Sequence, residues 1–227
     1  MFQDYTKQYY NIDDKEIIKI SLGDKVSSQR LLPIKEEKVQ IKKPQGVAHY
    51  YVMEMMDQPN AICKALNYGA RFKDGGLVKL GGLESHEEEL IGIDNLVIGA
   101  CGTSFFAGQY AEYLMREMQC FEYVQAKIAS EITHGDLDGI KNGGFLSVSQ
   151  SGETMDLLIP FRLAKDCGLK RLNVVNKVMS TLAREENCGV FLNCGRELSV
   201  ASTKAFMSQV TVLTLVSLWF AQHKRYK

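Results

Sequence analysis

From residue 95 onward, short continuous apolar runs alternate with longer stretches of helical periodicity. The apolar runs predict strands at 95–100, 121–126, 144–149, 171–175 and 190–193. The periodic stretches predict helices at 104–118, 154–167, 180–187 and 203–223. Strands that are apolar at every position are typical of a sheet covered on both faces, and their alternation with helices indicates right-handed βαβ units. We therefore predict an α/β fold with a doubly wound, five-stranded parallel sheet and helices on both faces.

The first 45 residues lack this alternation and predict a separate N-terminal arm. Two apolar runs, 9–12 and 16–20, flank Asp13-Asp14-Lys15 and predict a hairpin. Residues 48–73 then predict two helices, the second starting near Pro59 and reaching Phe72. We divide the chain into a 1–45 segment and one domain at 46–227.

The last predicted helix contains an apolar run at 205–221. Ser208, Gln209 and three further hydroxyl residues interrupt it, and it falls short of the roughly 20 apolar residues that span a bilayer. We predict a buried core helix rather than a membrane segment. Because it is apolar nearly all round, we expect it to be covered by this domain on one side and by a partner on the other.

Composition narrows the class of function. The 227 residues include 27 basic and 27 acidic side chains, and the formal net charge of zero gives no support for nucleic-acid or membrane binding. The six cysteines form no CxxC pair and no secretory signal precedes them, so we expect reduced thiols in a cytoplasmic protein. The four histidines form no HExxH motif, and we predict neither a metal nor a cofactor.

Three turns rich in hydroxyl groups precede predicted helices: Cys101–Ser104, Ser149–Thr154 and Ser199–Lys204. The free N–H groups and positive dipole end of a helix N-terminus favour an anion, and Ser and Thr add short donors. Each turn by itself is well explained as an ordinary N-cap. Three such turns around one crevice favour a phosphate with a small body attached. No GxGxxG or GxxxxGK[ST] motif supports a dinucleotide or a nucleoside triphosphate.

These motifs carry a family resemblance. Cys101-Gly-Thr-Ser, Ser149-Gln-Ser-Gly-Glu-Thr and Ser199-Val-Ala-Ser-Thr-Lys-Ala-Phe206 resemble the sugar isomerase (SIS) domain. The combination is most similar to the first SIS domain of the glutamine–fructose-6-phosphate aminotransferase (isomerising) family, and Leu80-Gly-Gly-Leu83 is similar to its eukaryotic branch. The resemblance covers about residues 46 to 223. It implies an SIS-type, flavodoxin-like sheet, a sugar-phosphate ligand, and either a homodimer or association with the family's isomerase half.

The resemblance also implies which residues bind the sugar phosphate, fructose 6-phosphate or glucosamine 6-phosphate. They are Thr103, Ser104, Ser149, Gln150, Ser151, Thr154, Val200 and Ser202. The hydroxyls of Ser149, Ser151 and Thr154 would hold the phosphate. A carboxylate beside a phosphate would repel it, so we expect Glu153 to turn away and cap the helix.

The chain departs from the family at both ends. The family's glutaminase nucleophile is a cysteine after the initiator methionine, whereas Phe2 follows Met1 here. Residues 1–45 resemble only the end of that glutaminase domain and the linker after it. The family's Schiff-base lysine, carboxylate base and ring-opening histidine lie in or beyond its second SIS domain. We therefore predict no catalytic residue in this chain, and we expect it to bind its ligand without completing turnover.

Two alternatives remain open. The chain could be a regulatory module that senses a sugar phosphate or UDP-N-acetylglucosamine without chemistry. It could also be a stand-alone isomerase, for which the candidate groups are Glu131, His134, Glu197 and Lys204. For each of these four we expect a surface or capping role.

Overall fold

The computed structural model describes residues 8–10, 19, 21, 31–33 and 46–225. The chain divides into two compact units, Met1–Lys43 and Pro44–Lys227. In the first unit, β1 (Gln8–Tyr10) pairs antiparallel with β2 (Leu31–Pro33). Strand β1 overlaps the first half of the predicted hairpin, but its partner here is β2. The predicted partner run, 16–20, lies outside the described residues except for Lys19, which is not in a strand.

The second unit begins with short helices. Helix α1 (Tyr50–Met56) and helix α2 (Gln58–Ala65) follow each other directly, with Pro59 in the first turn of α2 as predicted. The prediction that this second helix reaches Phe72 is wrong. Asn67 and Tyr68 adopt φ values of 49° and 51°, which an α-helix does not allow, so the helix ends before them.

After two short helices, the elements that follow alternate between strand and helix, except at one connection where two strands follow each other without an α-helix. They are α3 (Gly81–Glu84), α4 (Glu87–Ile91), β3 (Asn95–Ala100), α5 (Thr103–Glu117), β4 (Tyr123–Ile128), β5 (Gly143–Ser149), α6 (Met155–Asp166), β6 (Lys170–Val175), α7 (Thr181–Glu185), β7 (Gly189–Phe191) and α8 (Lys204–Arg225). The five strands β3 to β7 form one parallel sheet in the order β4-β3-β5-β6-β7. The predicted five-stranded parallel sheet is confirmed.

Side chains of the central strands β3, β5 and β6 alternate between two buried cores. Leu96 and Ile98 of β3 lie in one core with residues of α2, α5 and α8. Val97 lies in the other core with residues of α6 and α7. Because both faces are covered, strands that are apolar at every position are stable here, as the sequence pattern indicated.

Helix α8 packs against α2 and α5 on one face of the sheet. It is long and apolar enough to cross a membrane, but most of it is buried inside the domain, as in a core helix. None of its described side chains from 204 to 224 is exposed. The chain's own α2 and α5 cover one side of this helix, as predicted, and cover of another side by a partner stays a prediction.

Candidate functional site

The order of the sheet reverses between β3 and β5, which are adjacent although β4 lies between them in sequence. In doubly wound sheets, ligands bind at such a switch point, outside the carboxyl ends of the strands. A cavity of about 370 Å³ lies there, within the range of about 300–1,000 Å³ that is typical of small-molecule sites. The residues that the sequence predicted for the site all line this cavity: Thr103, Ser104, Ser149, Gln150, Ser151, Thr154, Val200 and Ser202.

The turn after β5 presents free hydroxyl protons to the cavity. Ser149 Oγ accepts a hydrogen bond from the backbone N–H of Gly152 at 3.0 Å, and Ser151 Oγ accepts one from that of Glu153 at 3.2 Å. Each hydroxyl can therefore still donate its own proton to a ligand. Thr154 is the N-cap residue of α6, yet its side chain makes no capping bond. The start of α6 thus keeps N–H groups and its positive dipole end available to an anion.

Gly152 gives this turn its shape. Its φ of +65° lies in the left-handed region, and a Cβ atom at this position would lie 2.2 Å from Ser180 Oγ. The close approach lets the backbone N–H of Leu182 donate to Gly152 O at 3.2 Å. Helix α7 therefore supports the Ser149–Thr154 turn from behind, and glycine is required both for the φ value and for the contact.

Glu153 does not line the cavity. Its carboxylate accepts hydrogen bonds from the backbone N–H of Thr181 at 3.0 Å and from the Thr181 hydroxyl at 2.7 Å. The hydrogen bond from the Thr181 side chain lowers the pKa of Glu153, so the carboxylate stays ionised and held on α7. The structure thus turns this charge away from the cavity, and the helix that it caps is α7 rather than α6.

The turn after β3 also contributes an uncapped helix start. Gly102, with φ of +57°, is the N-cap residue of α5 and has no side chain to cap it. Ser104 Oγ accepts a hydrogen bond from Gln209 Nε2 of α8 at 2.8 Å, which leaves the Ser104 proton free to donate. Burial and the nearby carboxylate of Asp156 raise the pKa of Cys101, which therefore stays a neutral thiol in the cavity wall.

The third turn reaches the cavity by a different route. It follows β7, which is separated from β5 by β6, and the connection from 192 to 203 carries Val200 and Ser202 back to the switch point. Here Glu197 caps α8, because its carboxylate accepts from the backbone N–H of Thr203 at 2.8 Å. The hydroxyl of Ser202 donates to the same carboxylate at 3.0 Å. The negative charge of Glu197 therefore offsets the positive dipole end of α8, whereas the starts of α5 and α6 have no such side-chain cap.

Glu54 and Asp57, from the N-terminal helical segment, bind the third turn, Ser199–Lys204. The sequence analysis did not predict either residue. The fully buried carboxylate of Glu54 accepts from the backbone N–H and the hydroxyl of Ser199. Asp57 accepts from Lys204 Nζ at 2.9 Å, and the Lys204 side chain is almost fully buried. The available signal was an acidic side chain within the Met53–Met56 run, which is apolar apart from Glu54.

The candidate groups for a stand-alone isomerase lie elsewhere. Neither Glu131 nor His134 lines the cavity, and both are exposed. Glu197 caps α8 and Lys204 pairs with Asp57, so neither faces the cavity. In the part of the chain that the structure describes, the cavity wall thus contains hydroxyl, amide, thiol and apolar groups but no side chain that is charged at neutral pH.

Comparison with known proteins places the chain in a family. The SIS domain family matches residues 89–218, more than half of the chain, and the chain belongs to this family. It is similar to the glutamine–fructose-6-phosphate aminotransferases (isomerising) of Bacteroides thetaiotaomicron, at 32% identity over 97% of this chain and 37% of the relative. With that of Corynebacterium glutamicum the identity is 38%, over 78% of this chain and 28% of the relative.

The solved structures agree with this family. The C-terminal domain of glucosamine-fructose-6-phosphate aminotransferase from Francisella tularensis superposes with a TM-score of 0.73 at 32% identity, covering 82% of this chain and 51% of that chain. A putative phosphosugar isomerase from Clostridium difficile has a TM-score of 0.63 at 20% identity, covering 77% of this chain and 46% of that chain, and shares the fold. The resemblance inferred from the three motifs is confirmed. The chain spans about a third of the length of the curated relatives that it matches.

Proposed function

We propose that this chain is a sugar-phosphate-binding SIS domain whose ligand is fructose 6-phosphate or glucosamine 6-phosphate. The observation that carries the proposal is the pairing of two uncapped helix starts, those of α5 and α6, with free hydroxyl donors around one cavity. Caps that served only the helices would bond to helix N–H groups, and the side chain of Thr154 does not. The resemblance to the aminotransferases supports the same ligand class and a role in hexosamine synthesis.

In this proposal each of the three turns contacts a different part of the ligand. Ser149, Ser151 and Thr154 hold the phosphate together with the first N–H groups of α6, while Thr103 and Ser104 contact the sugar from α5. Val200 and Ser202 border the sugar from the third turn. Charge-assisted hydrogen bonds to phosphate are short and strong, so three hydroxyls and a helix start are sufficient without a basic side chain.

Binding is tested by calorimetry with fructose 6-phosphate and glucosamine 6-phosphate on the full chain. We expect saturable binding that the double change Ser149→Ala with Ser151→Ala abolishes, because each lost bond to a charged group costs about 1.5–3 kcal/mol. Ser85→Ala is the matched control, since Ser85 is exposed and bonds only within its own turn. Undiminished binding by the double variant would remove the proposed site.

We also infer that this chain by itself holds the sugar phosphate without completing turnover. The support is the absence of a charged side chain in the described cavity wall, together with the neutral state of the Cys101 thiol. Incubation with fructose 6-phosphate in deuterated water should give no exchange at the first two sugar carbons. Exchange by the isolated chain would contradict this inference and favour a stand-alone isomerase.

A second candidate function, a regulatory site for a nucleotide sugar, is favoured by a separate cavity of about 520 Å³. Arg71 lines it together with Lys79 and is 9% exposed. Its Nη2 donates to Phe191 O at 2.5 Å, whereas Nη1 is buried and lacks an acceptor among the described residues. Burial lowers the pKa of Arg71, and a buried cation gains from an anionic partner.

This second candidate is tested by calorimetry with UDP-N-acetylglucosamine, using Arg71→Met and, as a matched control outside the cavity, the partly exposed Lys64→Met. Binding that only Arg71→Met weakens, in a chain that binds no sugar phosphate, would favour the regulatory function over the first proposal. Equal binding by both variants would reject the Arg71 cavity as the site.

A further inference from the structure

The connection from β4 to β5, residues 129–142, crosses one face of the sheet without an α-helix. It contains two short 3₁₀ turns, Ala129–Glu131 and His134–Asp136, where the connections flanking it contain α5 and α6. Ile132 and Leu137 anchor it in the core beside α6. The first turn packs against α6, and His134 of the second turn lies near Cys167, the residue that follows α6.

Two metal-ligand side chains lie close together here, that of His134 in the second 3₁₀ turn and that of Asp138 just after it. The backbone N–H of Asp138 donates to His134 O at 2.8 Å, which brings the two residues together, and His134 Nδ1 lies 4.0 Å from Asp138 Oδ2. Asp136 is already occupied, because its carboxylate accepts from Thr133 and pairs with Lys127. Within the described ranges, Asp138 has no lysine or arginine partner.

Helix α6 supplies a third side chain. Cys167 is the C-cap residue of α6, and its backbone N–H donates to Leu163 O at 2.9 Å. Gly168, with φ of +78°, then ends the helix. The ligand atoms of His134, Asp138 and Cys167 all lie within 4.8 Å of one another.

We propose that His134, Asp138 and Cys167 bind a divalent transition-metal ion such as Zn²⁺. Imidazole nitrogen, carboxylate oxygen and thiolate sulfur form a mixed donor set that suits zinc or cobalt and not magnesium or calcium. Ligand atoms around tetrahedral zinc lie about 3–4 Å apart, as expected for metal–ligand bonds of about 2.0–2.3 Å. The side chains of His134 and Asp138 are 65% and 66% exposed, so both are free to rotate the remaining distance.

The three side chains would leave the fourth tetrahedral position to a water molecule, and the ion would fasten the irregular connection to the end of α6. The twelve residues of α6 rise by about 18 Å at about 1.5 Å per residue, and the sugar-phosphate cavity lies at the opposite, N-terminal end. A simple His134–Asp138 ion pair is the competing explanation. Such an exposed pair contributes little and gives no role to the Cys167 thiol. His134 and Cys167 are 33 positions apart, which explains why no metal motif was visible in the sequence.

The test uses the full chain after removal of metal with a chelator. Titration with Zn²⁺ should show one equivalent bound and a higher melting temperature. Titration with Co²⁺ should give the visible bands of a tetrahedral site together with a thiolate-to-cobalt charge-transfer band. Cys167→Ser should abolish the charge-transfer band and weaken Zn²⁺ binding at least about tenfold. The matched control is Cys63→Ser, which changes an exposed thiol outside the cluster and should leave both results intact.

His134→Gln and Asp138→Asn should each weaken Zn²⁺ binding to a similar extent, whereas His49→Gln should not. Circular dichroism of each variant verifies that the fold is retained, which these exposed positions favour. Equal Zn²⁺ affinity of the wild type and Cys167→Ser would overturn the proposal. Loss of binding in Cys63→Ser, or the absence of stoichiometric binding in the wild type, would overturn it as well.

Discussion

The buried carboxylate of Glu54 accepts a hydrogen bond from the backbone N–H of Ser199 at 3.2 Å and a second from the Ser199 hydroxyl. The two residues are 145 positions apart, and their contact ties α1 to the turn that carries Val200 and Ser202. The geometry of the third turn therefore depends on a helix that lies outside the βαβ part of the chain.

Changing Glu54 to Gln should destabilise the domain and weaken sugar-phosphate binding together. The amide has one acceptor oxygen instead of two and places an NH₂ group against N–H donors, so at least one buried group loses its bond. We expect a loss of about 1–3 kcal/mol in the free energy of unfolding, measured in urea. Glu88→Gln changes an exposed carboxylate on α4 and should leave both quantities unchanged. An unchanged stability in Glu54→Gln would contradict this role.

Changing Gly152 to Ala should destabilise the Ser149–Thr154 turn beyond the cost of the backbone conformation alone. Gly139 provides the comparison, since its φ of +73° is similar but a Cβ atom there meets nothing within 4 Å. We expect about 1–2 kcal/mol for Gly139→Ala and about 1–3 kcal/mol more for Gly152→Ala, from the clash with Ser180. Urea unfolding measures both. Equal losses in the two variants would show that the contact with Ser180 is relieved without cost.

The ion pair between Asp57 and Lys204 should give a stability term that depends on pH. Partial burial by itself would raise the pKa of Asp57, but hydrogen bonds from Asn60 and Lys204 and the charge of Lys204 lower it overall. The folded-state pKa thus lies below the unfolded value of 3.8, so the contribution is present above pH 3.8 and is lost as pH falls through the folded pKa.

The comparison of the wild type with Asp57→Asn measures this term. We expect Asp57→Asn to cost about 1.5–3 kcal/mol at pH 7, because Lys204 keeps a buried charge with a weaker partner, and to cost less below pH 3.8. The exposed Asp74→Asn is the control and should cost little at either pH. If Asp57→Asn destabilised the protein equally at pH 7 and at pH 3, the pKa of Asp57 would not be lowered by folding.

Thiol reactivity should separate the cysteines by burial. Burial, with the charges of nearby glutamates, raises the pKa of Cys188 to about 12 and that of Cys194 to about 11. Since the thiolate is the reactive form, a thiol reagent at pH 8 should label the exposed Cys63 quickly and these two only after unfolding. Mass spectrometry of the labelled peptides, with and without urea, provides the measurement. Rapid labelling of Cys188 without urea would show that the core around it opens to solvent in the folded protein.

Much of the candidate site was predictable because it depends on local chemistry. Ser149, Ser151 and Thr154 stand in a turn between a buried strand and a helix start, and a turn of this kind favours an anion wherever it occurs. The sequence did not predict which helix starts stay free for a ligand or which side chains turn away from it. Whether α8 offers a free helix start depends on Glu197, and whether Glu153 faces the ligand depends on Thr181 of α7.

The sequence by itself determined the five strands of the parallel sheet, the helices α5, α6 and α8 and the hydroxyl-rich turns, because apolar runs and N-terminal turns act over a few neighbouring residues. Only the tertiary structure decided how distant residues combine. It covered α8 with α2 and α5, joined Glu54 to Ser199, and brought His134 and Asp138 beside Cys167. The physical reason is that such contacts arise from the packing of whole elements, which leaves no periodic signal in the sequence around any one residue.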